Sequence, residues 1–456
     1  MPRVRLDHAL VGADWRRDAL LEWDDAGGIV SITPDAAATP GVETIEGAAV
    51  PGIANLHSHT FQRAIAGVSE SLGVGGDTFW TWRRAMYRAV ERLTPENLRA
   101  VASLAFAEML EGGFTSVAEF HYIHNGPDGR PYTHRAAMAE AVIAAAKETG
   151  IGLTLLPVFY AHGGFGGKPL EKAQRRFGCD LDGFAKLVED SATALRAFPG
   201  AALGIAPHSL RAVAPAELKS LVRGFSGKPL HIHAAEQVRE VEECVASLGR
   251  RPVEYLLDEM PVGPDWCLVH STHLTPAETS RLAESGAVAG LCPVTEANLG
   301  DGIFPAQAYL KAGGRLGVGT DSNIRIDAAE ELRQLEYSQR LRDKARNVLA
   351  EPGRSTGRRL FDTAIASAAP VLARPVGALE PGNRADFVVL DTRHLSMLGR
   401  GGDTWLDSWI FAAGKEAVRE VWAGGTRVVN QGRHIAAEAI RRRYARVLNQ
   451  LTDGNS

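Results

Sequence analysis

Two histidines at alternate positions, His57 and His59, follow an apolar run that begins at Val50. Residues two apart on an extended strand point to the same side, so both imidazoles can bind one metal ion. Neutral imidazole is a common ligand of zinc and iron. An isolated H-x-H pair is only a weak indication of a metal site, so the pattern needs matching residues elsewhere in the chain.

Matching residues occur far downstream, each after a short apolar run: His233, His270 and Asp321. In a parallel (β/α) barrel the carboxyl ends of the strands meet at one face, and the chemistry takes place there. Two histidines from one strand, one from a second and a carboxylate from a third would form a metal site with room for water. Together these segments strongly predict a metal centre at the mouth of a barrel.

The middle of the chain, from residue 50 to 380, alternates apolar strand-like runs with helix-like segments. This rhythm is typical of repeated βα units. The predicted strands are 50–56, 116–120, 153–160, 203–206, 230–233, 267–270, 288–292 and 316–319. Eight such runs predict an α/β fold whose catalytic domain is a closed (β/α)8 barrel.

Both ends of the chain have a different texture. Residues 1–49 and 381–436 contain short strands separated by turn residues, and residues 437–456 are Arg-rich with a helical pattern. Gly and Asp at the turns favour hairpins. We therefore expect an accessory β-domain at residues 1–49 and 381–436 and a helical tail at 437–456.

The composition excludes several classes of protein. The 456 residues are 45% hydrophobic and 23% charged, as in ordinary globular proteins. With a formal net charge of -4, the chain offers no general electrostatic attraction to nucleic acid or to an anionic membrane. No uninterrupted apolar stretch is long enough to span a bilayer. The four cysteines show no C-x-x-C spacing and are expected to be reduced thiols, which favours a cytoplasmic location.

The chain resembles the amidohydrolase superfamily over nearly its full length, because it carries that superfamily's pattern of metal ligands. Longer runs resemble the formimidoylglutamate deiminase family within it; these runs are 55–64, 79–83, 118–122, 208–213 and 295–302. The resemblance implies metal-dependent hydrolysis of N-formimidoyl-L-glutamate to N-formyl-L-glutamate and ammonia, a reaction of histidine degradation. It also implies that both chain ends form one small β-sandwich and that the protein is a homodimer.

The resemblance assigns the metal ligands and the number of ions. Binuclear relatives use a carboxylated lysine at the end of the fourth strand, but residues 204–209 contain no lysine, so we expect one ion. Zinc is the expected ion, with ferrous iron as the alternative. His231 faces inward but lies deeper in the barrel, so we expect a hydrogen-bonded core role for it. The expected ligands are His57, His59, His233 and Asp321.

Three residues are expected to move protons or stabilise charge. Asp321 can accept a proton from the attacking water, as its counterpart does in the family. Glu236 lies three residues past His233, just beyond the strand, where it can protonate the leaving amine. His270, on the next strand, would orient the water or stabilise the tetrahedral intermediate.

The expected substrate carries two carboxylates and an amidine, so its site needs cationic and hydrogen-bonding groups. Sequence spacing nominates Gln62, His208 and Arg211, because they follow directly after strand ends. The resemblance adds Arg83 and Tyr122 to the substrate-binding positions. We expect replacement of Arg211 to raise KM or lower kcat/KM.

Two other functions are compatible with parts of the pattern. A guanine, purine or triazine deaminase on the same scaffold would share the metal ligands and Glu236. Arg83, Tyr122 and Arg211 argue against it, because a neutral heterocycle does not need them. A catalytically inactive barrel that serves as a binding scaffold is the second alternative, but such barrels usually lose metal ligands and this chain retains them.

Overall fold

The computed structural model of the protein describes residues 1–68, 70, 72 and 79–452. The strands are β1 (Arg3–Val11), β2 (Asp14–Trp23), β3 (Ile29–Thr33), β4 (Thr44–Pro51), β5 (Ile53–Ser58), β6 (Phe114–His121), β7 (Gly152–Phe159), β8 (Ala202–Leu203), β9 (Ala206–Pro207), β10 (Leu230–Ala234), β11 (Trp266–His270), β12 (Val288–Leu291), β13 (Arg315–Val318), β14 (Phe387–Leu390), β15 (Val418–Ala423), β16 (Thr426–Asn430) and β17 (Arg433–His434).

Fifteen α-helices lie between or after these strands in the described part of the chain. They are α1 (Phe79–Val90), α2 (Pro95–Glu111), α3 (Ala137–Thr149), α4 (Leu181–Leu195), α5 (Pro215–Gly224), α6 (Val238–Leu248), α7 (Pro252–Glu259), α8 (Pro276–Glu284), α9 (Pro293–Leu299), α10 (Ala306–Lys311), α11 (Ala328–Asp343), α12 (Thr356–Ala366), α13 (Ala368–Leu372), α14 (Asp403–Ser408) and α15 (Ala437–Thr452). Short 3-10 helices occupy Thr60–Ile65, Ala173–Arg176 and Gly414–Ala417.

The central strands form a closed parallel barrel. One arc has the order β5-β6-β7-β8, with β9 beside β7, and the other has the order β10-β11-β12-β13. Parallel bridges between Ile205 and Leu230 and between Ser58 and Asp321 join the two arcs on both sides. Counting β8 and β9 as one interrupted strand gives eight strand positions, so the predicted (β/α)8 barrel is confirmed.

The barrel strands are buried from end to end because helices cover their outer faces. Every residue of β6 and β7 is buried, and both strands are rich in apolar side chains, as parallel sheets covered on both faces require. The helices begin where the local sequence satisfies their free N–H groups. At α8, for example, the Thr275 hydroxyl accepts from the backbone N–H of Glu278 at 3.2 Å, and the Glu278 carboxylate accepts from that of Thr275 at 2.8 Å.

The two chain ends build one further sheet of eight strands, in the order β17-β16-β15-β14-β4-β1-β2-β3. Its pairs are antiparallel except for β1 with β4. The sheet curls over a small apolar core, so that the ring of Trp23 on β2 lies 5.9 Å from that of Trp422 on β15. This arrangement bears out the expected sandwich-like unit made from both ends of the chain.

Residues Ala437–Thr452 of the Arg-rich tail form the helix α15, which packs against the barrel, and residues 453–456 lie outside the described part of the chain. Ile440 and Val447 of α15 lie in apolar clusters with side chains of α2, and Arg443 pairs with Glu148 at 2.8 Å. Apolar contacts and ion pairs therefore hold the tail on the outside of the barrel. Within the described ranges, no helix has the length and apolarity needed to cross a membrane.

Candidate active site

The first and last barrel strands bring the two distant halves of the site together. The backbone N–H of His59 donates to the carbonyl of Asp321 at 2.9 Å, and the N–H of Asp321 donates to the carbonyl of His57 at 3.0 Å. Gly319 allows this close approach, because a Cβ there would lie 2.7 Å from the backbone nitrogen and oxygen of His57. The amide of Asn323 donates to the carbonyl of His59 at 3.0 Å and fixes the register.

Left-handed backbone at the strand ends turns key side chains into the barrel mouth. Ala235, His270, Ser271 and Asp321 have φ values of 53°, 66°, 49° and 42°. Non-glycine residues rarely adopt this region, which costs about 1–3 kcal/mol for each residue. The N–H of Ser271 donates to the carbonyl of Ala234 at 3.0 Å and holds one of these turns. Such strain is concentrated at sites where geometry serves function.

The four predicted metal ligands converge on one point. The Nε2 atom of His57 lies 3.1 Å from those of His59 and His233, and the Oδ1 atom of Asp321 lies 3.4 Å from His57 Nε2 and 3.3 Å from His59 Nε2. Donor atoms bound to one tetrahedral ion at 2.0–2.2 Å would lie about 3.3 Å apart. Lone pairs this close repel one another unless a cation lies between them, so the donor set fits one metal ion.

The electrostatics of the three imidazoles also suit a cation. Burial and the neighbouring imidazoles together lower the pKa of His59 to about 3, against the opposing effects of Asp321 and the carbonyl of Phe120. Burial and adjacent imidazoles likewise hold the pKa of His57 and His233 well below its ordinary value. All three are therefore neutral at physiological pH, which is the form that binds metal.

Backbone carbonyls orient two of these rings. The Nδ1–H of His59 donates to the carbonyl of Phe120 at 2.8 Å, and that of His233 donates to the carbonyl of His208 at 3.0 Å. Each bond places the proton on Nδ1 and leaves the lone pair of Nε2 facing the centre. His231, by contrast, bonds the carbonyl of Val371 at 2.8 Å inside the barrel, so its expected core role is confirmed.

Glu236 and His270 border the metal ligands on the open side. His270 Nε2 lies 3.8 Å from Glu236 Oε1 and 3.9 Å from Asp321 Oδ2. Burial raises the pKa of Glu236 to about 7, against the opposing charges of His270 and Arg211. Burial alone would lower the pKa of His270, but the carboxylates of Glu236, Glu296 and Asp321 raise it to about 10. Glu236 can therefore exchange a proton with a bound molecule near neutral pH, whereas His270 stays protonated and can donate a hydrogen bond.

Glu296 is a site residue that spacing could not identify. Its Oε1 atom accepts from Nδ1 of His270 at 3.2 Å and from the backbone N–H of Cys292 at 2.8 Å. The side chain is 6% exposed. It lies on α9, and the sequence carries no sign that this helix faces β11. Glu296 fixes the ring of His270 with Nε2 directed into the site.

A cavity of 540 Å³ opens directly beside the metal ligands. A large group of predicted residues lines it: His59, Gln62, Arg83, Tyr122, His208, Arg211, His233, Glu236, His270 and Asp321. His57 is fully buried beneath them. The structure thus brings every predicted site residue to one place. Sequence reasoning missed Tyr87, Tyr160 and Phe177, which line the same cavity from α1, from the end of β7 and from the segment after Ala173–Arg176.

Two cationic side chains face this cavity. The Nη2 atom of Arg211 lies 3.7 Å from Glu236 Oε2, while its buried Nε atom has no hydrogen-bond partner among the described residues. The guanidinium of Arg83 lies 4.7 Å from the ring centre of Trp80 and 5.4 Å from that of Tyr87. On the opposite wall Gln62 donates to the Tyr122 hydroxyl at 2.8 Å. The cavity therefore offers positive charge and hydrogen-bond donors to an anionic ligand.

Comparison with known proteins agrees with this geometry. The model of the amidohydrolase family matches residues 48–428. The chain is 47% identical to the formimidoylglutamate deiminase of Pseudomonas aeruginosa over 99% of its length and 100% of that protein. It is 28% identical to the 8-oxoguanine deaminase of the same organism over 87% of its length and 86% of that protein.

Solved structures show the same fold. A crystal structure of an amidohydrolase from Brucella melitensis superposes with a TM-score of 0.94 at 47% identity, covering 99% of this chain and 100% of that chain. An adenosine deaminase from Xanthomonas campestris, crystallised with bound zinc, has a TM-score of 0.81 at 23% identity, covering 99% and 98%. The chain therefore belongs to the amidohydrolase family and is a hydrolase that acts on carbon–nitrogen bonds.

Proposed function

We propose that the protein hydrolyses N-formimidoyl-L-glutamate to N-formyl-L-glutamate and ammonia, as a step of histidine degradation. The observation that carries this proposal is a cavity in which two guanidinium groups, those of Arg83 and Arg211, lie beside a convergent set of metal ligands. A substrate with an amidine, a carboxylate close to it and a second carboxylate at its far end matches both features. The similarity to the Pseudomonas deiminase over the full chain supports the same substrate.

The proposed cofactor is one zinc ion, with ferrous iron as the alternative. His57, His59, His233 and Asp321 would hold it, since their donor atoms lie within 4.8 Å of one another. A divalent cation there would supply the Lewis acidity that makes water nucleophilic near neutral pH. The fourth strand position ends in Pro207 without a lysine that could bridge a second ion. Elemental analysis giving two tightly held ions per chain would contradict the single site.

The proposed proton movements follow from the positions of three side chains. Asp321 accepts a proton from water as the water oxygen adds to the amidine carbon. Nε2 of His270 donates a hydrogen bond to that oxygen and stabilises the tetrahedral intermediate. Glu236, which can both accept and donate a proton near neutral pH, protonates the terminal nitrogen. Asp321 passes its proton to the same nitrogen, the bond from carbon to this nitrogen breaks, and ammonia leaves with the bonding electrons. The added oxygen then returns its remaining proton to Glu236 as the carbon–oxygen double bond of the formyl group forms, so both side chains recover their starting charge.

The remaining predicted residues are proposed to bind the substrate. Arg83 and Arg211 would neutralise its carboxylates, because guanidinium groups bind carboxylates through two parallel hydrogen bonds. Gln62, Tyr122 and His208 would complete the hydrogen bonds around the amidine and the nearer carboxylate. The rings of Tyr122 and His208 lie 4.9 and 4.8 Å from those of the metal ligands His59 and His233, where the middle of such a substrate would rest.

The test is ammonia release by the metal-loaded protein from three compounds. Formimidoylglutamate should be turned over far faster than guanine or 8-oxoguanine, because only the first uses both guanidinium groups. Faster turnover of either purine would refute the assignment and favour a purine deaminase, such as the Pseudomonas relative that is named for 8-oxoguanine. Absence of turnover with all three, in protein that holds metal, would favour a binding scaffold.

We further propose that the protein acts as a homodimer in the cytoplasm. Leu341 and Ile303 are exposed apolar side chains beside one groove, at 80% and 39% exposure, which is where a second copy could bury apolar surface. The four cysteines form no disulfide, as a reducing compartment requires. Light scattering should give twice the chain mass of 48.9 kDa, and a monomer mass would contradict the dimer.

A further inference from the structure

Two tyrosine hydroxyls at the outer part of the cavity share one hydrogen-bond donor. Nε2 of Gln174 lies 3.3 Å from the hydroxyl oxygen of Tyr87 and 3.1 Å from that of Tyr160. The orientation of this amide is determined by its other end, because Oε1 accepts from the backbone N–H of Glu171 at 2.8 Å. The NH2 group therefore faces the two tyrosines and donates one hydrogen to each.

This arrangement leaves both phenol hydrogens available. A tyrosine hydroxyl has one hydrogen to donate, and an oxygen that accepts from an amide must donate its own hydrogen elsewhere. Among the described residues, neither Tyr87 nor Tyr160 has a protein acceptor for it, and both line the cavity. Burial raises the pKa of both phenols, so they stay protonated. Each is a neutral O–H donor beside an open space.

Gln174 is itself rigidly held. It is fully buried, and Arg176 two residues later donates to the carbonyls of Asn125 at 3.0 Å and Leu93 at 2.7 Å, and also to that of Val90. Val90 ends α1, the helix that carries Tyr87, so one buried guanidinium ties the Gln174 segment to this helix. Such a preorganised pair of hydroxyls can bind a ligand without first being ordered.

Ring contacts place this pair farther from the metal ligands than Tyr122. The ring of Tyr122 lies 4.9 Å from that of His59, a metal ligand. Tyr160 instead contacts His208, with ring centres 4.6 Å apart, and Tyr87 lies 5.4 Å below the guanidinium of Arg83. The guanidinium groups of Arg83 and Arg211 both act on this pair of hydroxyls, and that of Arg83 lies over the ring of Tyr87.

We propose that Tyr87 and Tyr160 donate hydrogen bonds to the substrate carboxylate that lies farther from the metal ligands, with Gln174 as their positioning residue. Together with Arg83 they form a subsite that selects dicarboxylates over monocarboxylates. The inference rests on the proposed function, since it assigns this subsite to the side-chain carboxylate of formimidoylglutamate. A carboxylate has lone pairs enough to accept from both hydroxyls and from a guanidinium.

The experiment compares the binding of two stable probes to the metal-loaded protein by titration calorimetry. N-carbamoyl-L-glutamate keeps both carboxylates, and N-carbamoyl-L-glutamine replaces the side-chain carboxylate by a neutral amide. Tyr87→Phe and Tyr160→Phe should each weaken binding of the first probe at least about 10-fold, the effect of one hydrogen bond to a charged group. Binding of the second probe should weaken less than that of the first, by about 2- to 10-fold, because its amide is a neutral acceptor.

The control is Tyr337→Phe, because Tyr337 stacks on Phe411 outside the cavity and should leave both affinities unchanged. Gln174→Glu should act like the loss of both hydroxyls, since a carboxylate would accept the phenol hydrogens that now face the cavity. Equal weakening of both probes in the phenylalanine variants would overturn the proposal, as would the lack of a preference for the dicarboxylate in the unmodified protein.

The result is separable from the proposed function because it measures the binding of the probes and not the turnover of formimidoylglutamate. Selective weakening together with failure to release ammonia from formimidoylglutamate would refute the reaction and leave the dicarboxylate subsite intact. Ammonia release together with equal weakening of both probes would refute the subsite and leave the reaction intact.

Discussion

Replacing Arg211 with glutamine should lower kcat/KM for formimidoylglutamate by about 10- to 150-fold. Within the described part of the chain, Arg211 is the cationic side chain nearest to the proposed proton shuttle, with Nη2 3.7 Å from Glu236 Oε2, and its Nε atom has no partner there. The side chain is 11% exposed, so water cannot replace it well. A hydrogen bond to a charged group contributes about 1.5–3 kcal/mol, and each 1.36 kcal/mol corresponds to about tenfold in rate or affinity.

The assay is initial-rate ammonia release over a range of substrate concentrations, with metal content measured in each sample. Most of the loss should fall on KM, because a carboxylate contact is present in both the ground state and the transition state. Arg211→Lys keeps the charge but loses the planar fork of the guanidinium. Its kcat/KM should therefore lie between those of the unmodified protein and of Arg211→Gln. The matched control is Arg223→Gln on the exposed face of α5, which should leave the rate unchanged. A kcat/KM for Arg211→Gln within twofold of the unmodified protein would refute the reasoning.

Further predictions concern His233, Glu296 and Glu119. His233→Ala should abolish tight metal binding, as measured by elemental analysis, and activity, as measured by rate assays. A full metal complement with full activity would contradict the ligand set. Glu296→Leu should lower kcat by about 10- to 100-fold with little change in KM. Glu296→Gln should retain more activity, because its side-chain carbonyl can still accept a hydrogen bond from His270. Equal losses of kcat in the two variants would contradict an orienting role. Burial raises the pKa of Glu119 from 4.5 to about 7, so between these values the folded state keeps a proton that the unfolded state loses. The free energy of unfolding should therefore fall by about 3 kcal/mol over this window as pH rises, and Glu119→Gln should remove that part of the fall in urea unfolding; parallel pH profiles would contradict this.

The fold was predictable because its strands have a strong local signal. Buried parallel strands are continuous apolar runs, and all eight predicted runs coincide with barrel strands to within a few residues, although the fourth is interrupted between β8 and β9. The metal ligands were predictable for the same reason, because they sit at strand ends that a barrel must bring together. The domain boundaries at residues 49/50, 380/381 and 436/437 remain predictions.

The outer part of the site could not be predicted from spacing. Tyr87 and Glu296 lie on helices, where no strand register determines which side chain faces the cavity. Gln174 comes from an irregular segment that only tertiary contacts hold in place. Glu119 shows the same limit, because no spacing in the sequence predicts that its carboxylate accepts from the N–H and hydroxyl of Thr60 at 2.8 and 2.7 Å.

The most direct test of the account is identification of the products by NMR after the metal-loaded protein is incubated with N-formimidoyl-L-glutamate. Protonation of the terminal nitrogen by Glu236 requires that one equivalent of N-formyl-L-glutamate and one of ammonia appear, with no formamide. Formation of glutamate and formamide would show that the other carbon–nitrogen bond breaks, and would contradict the proposed placement of the substrate between the metal ligands and the two arginines.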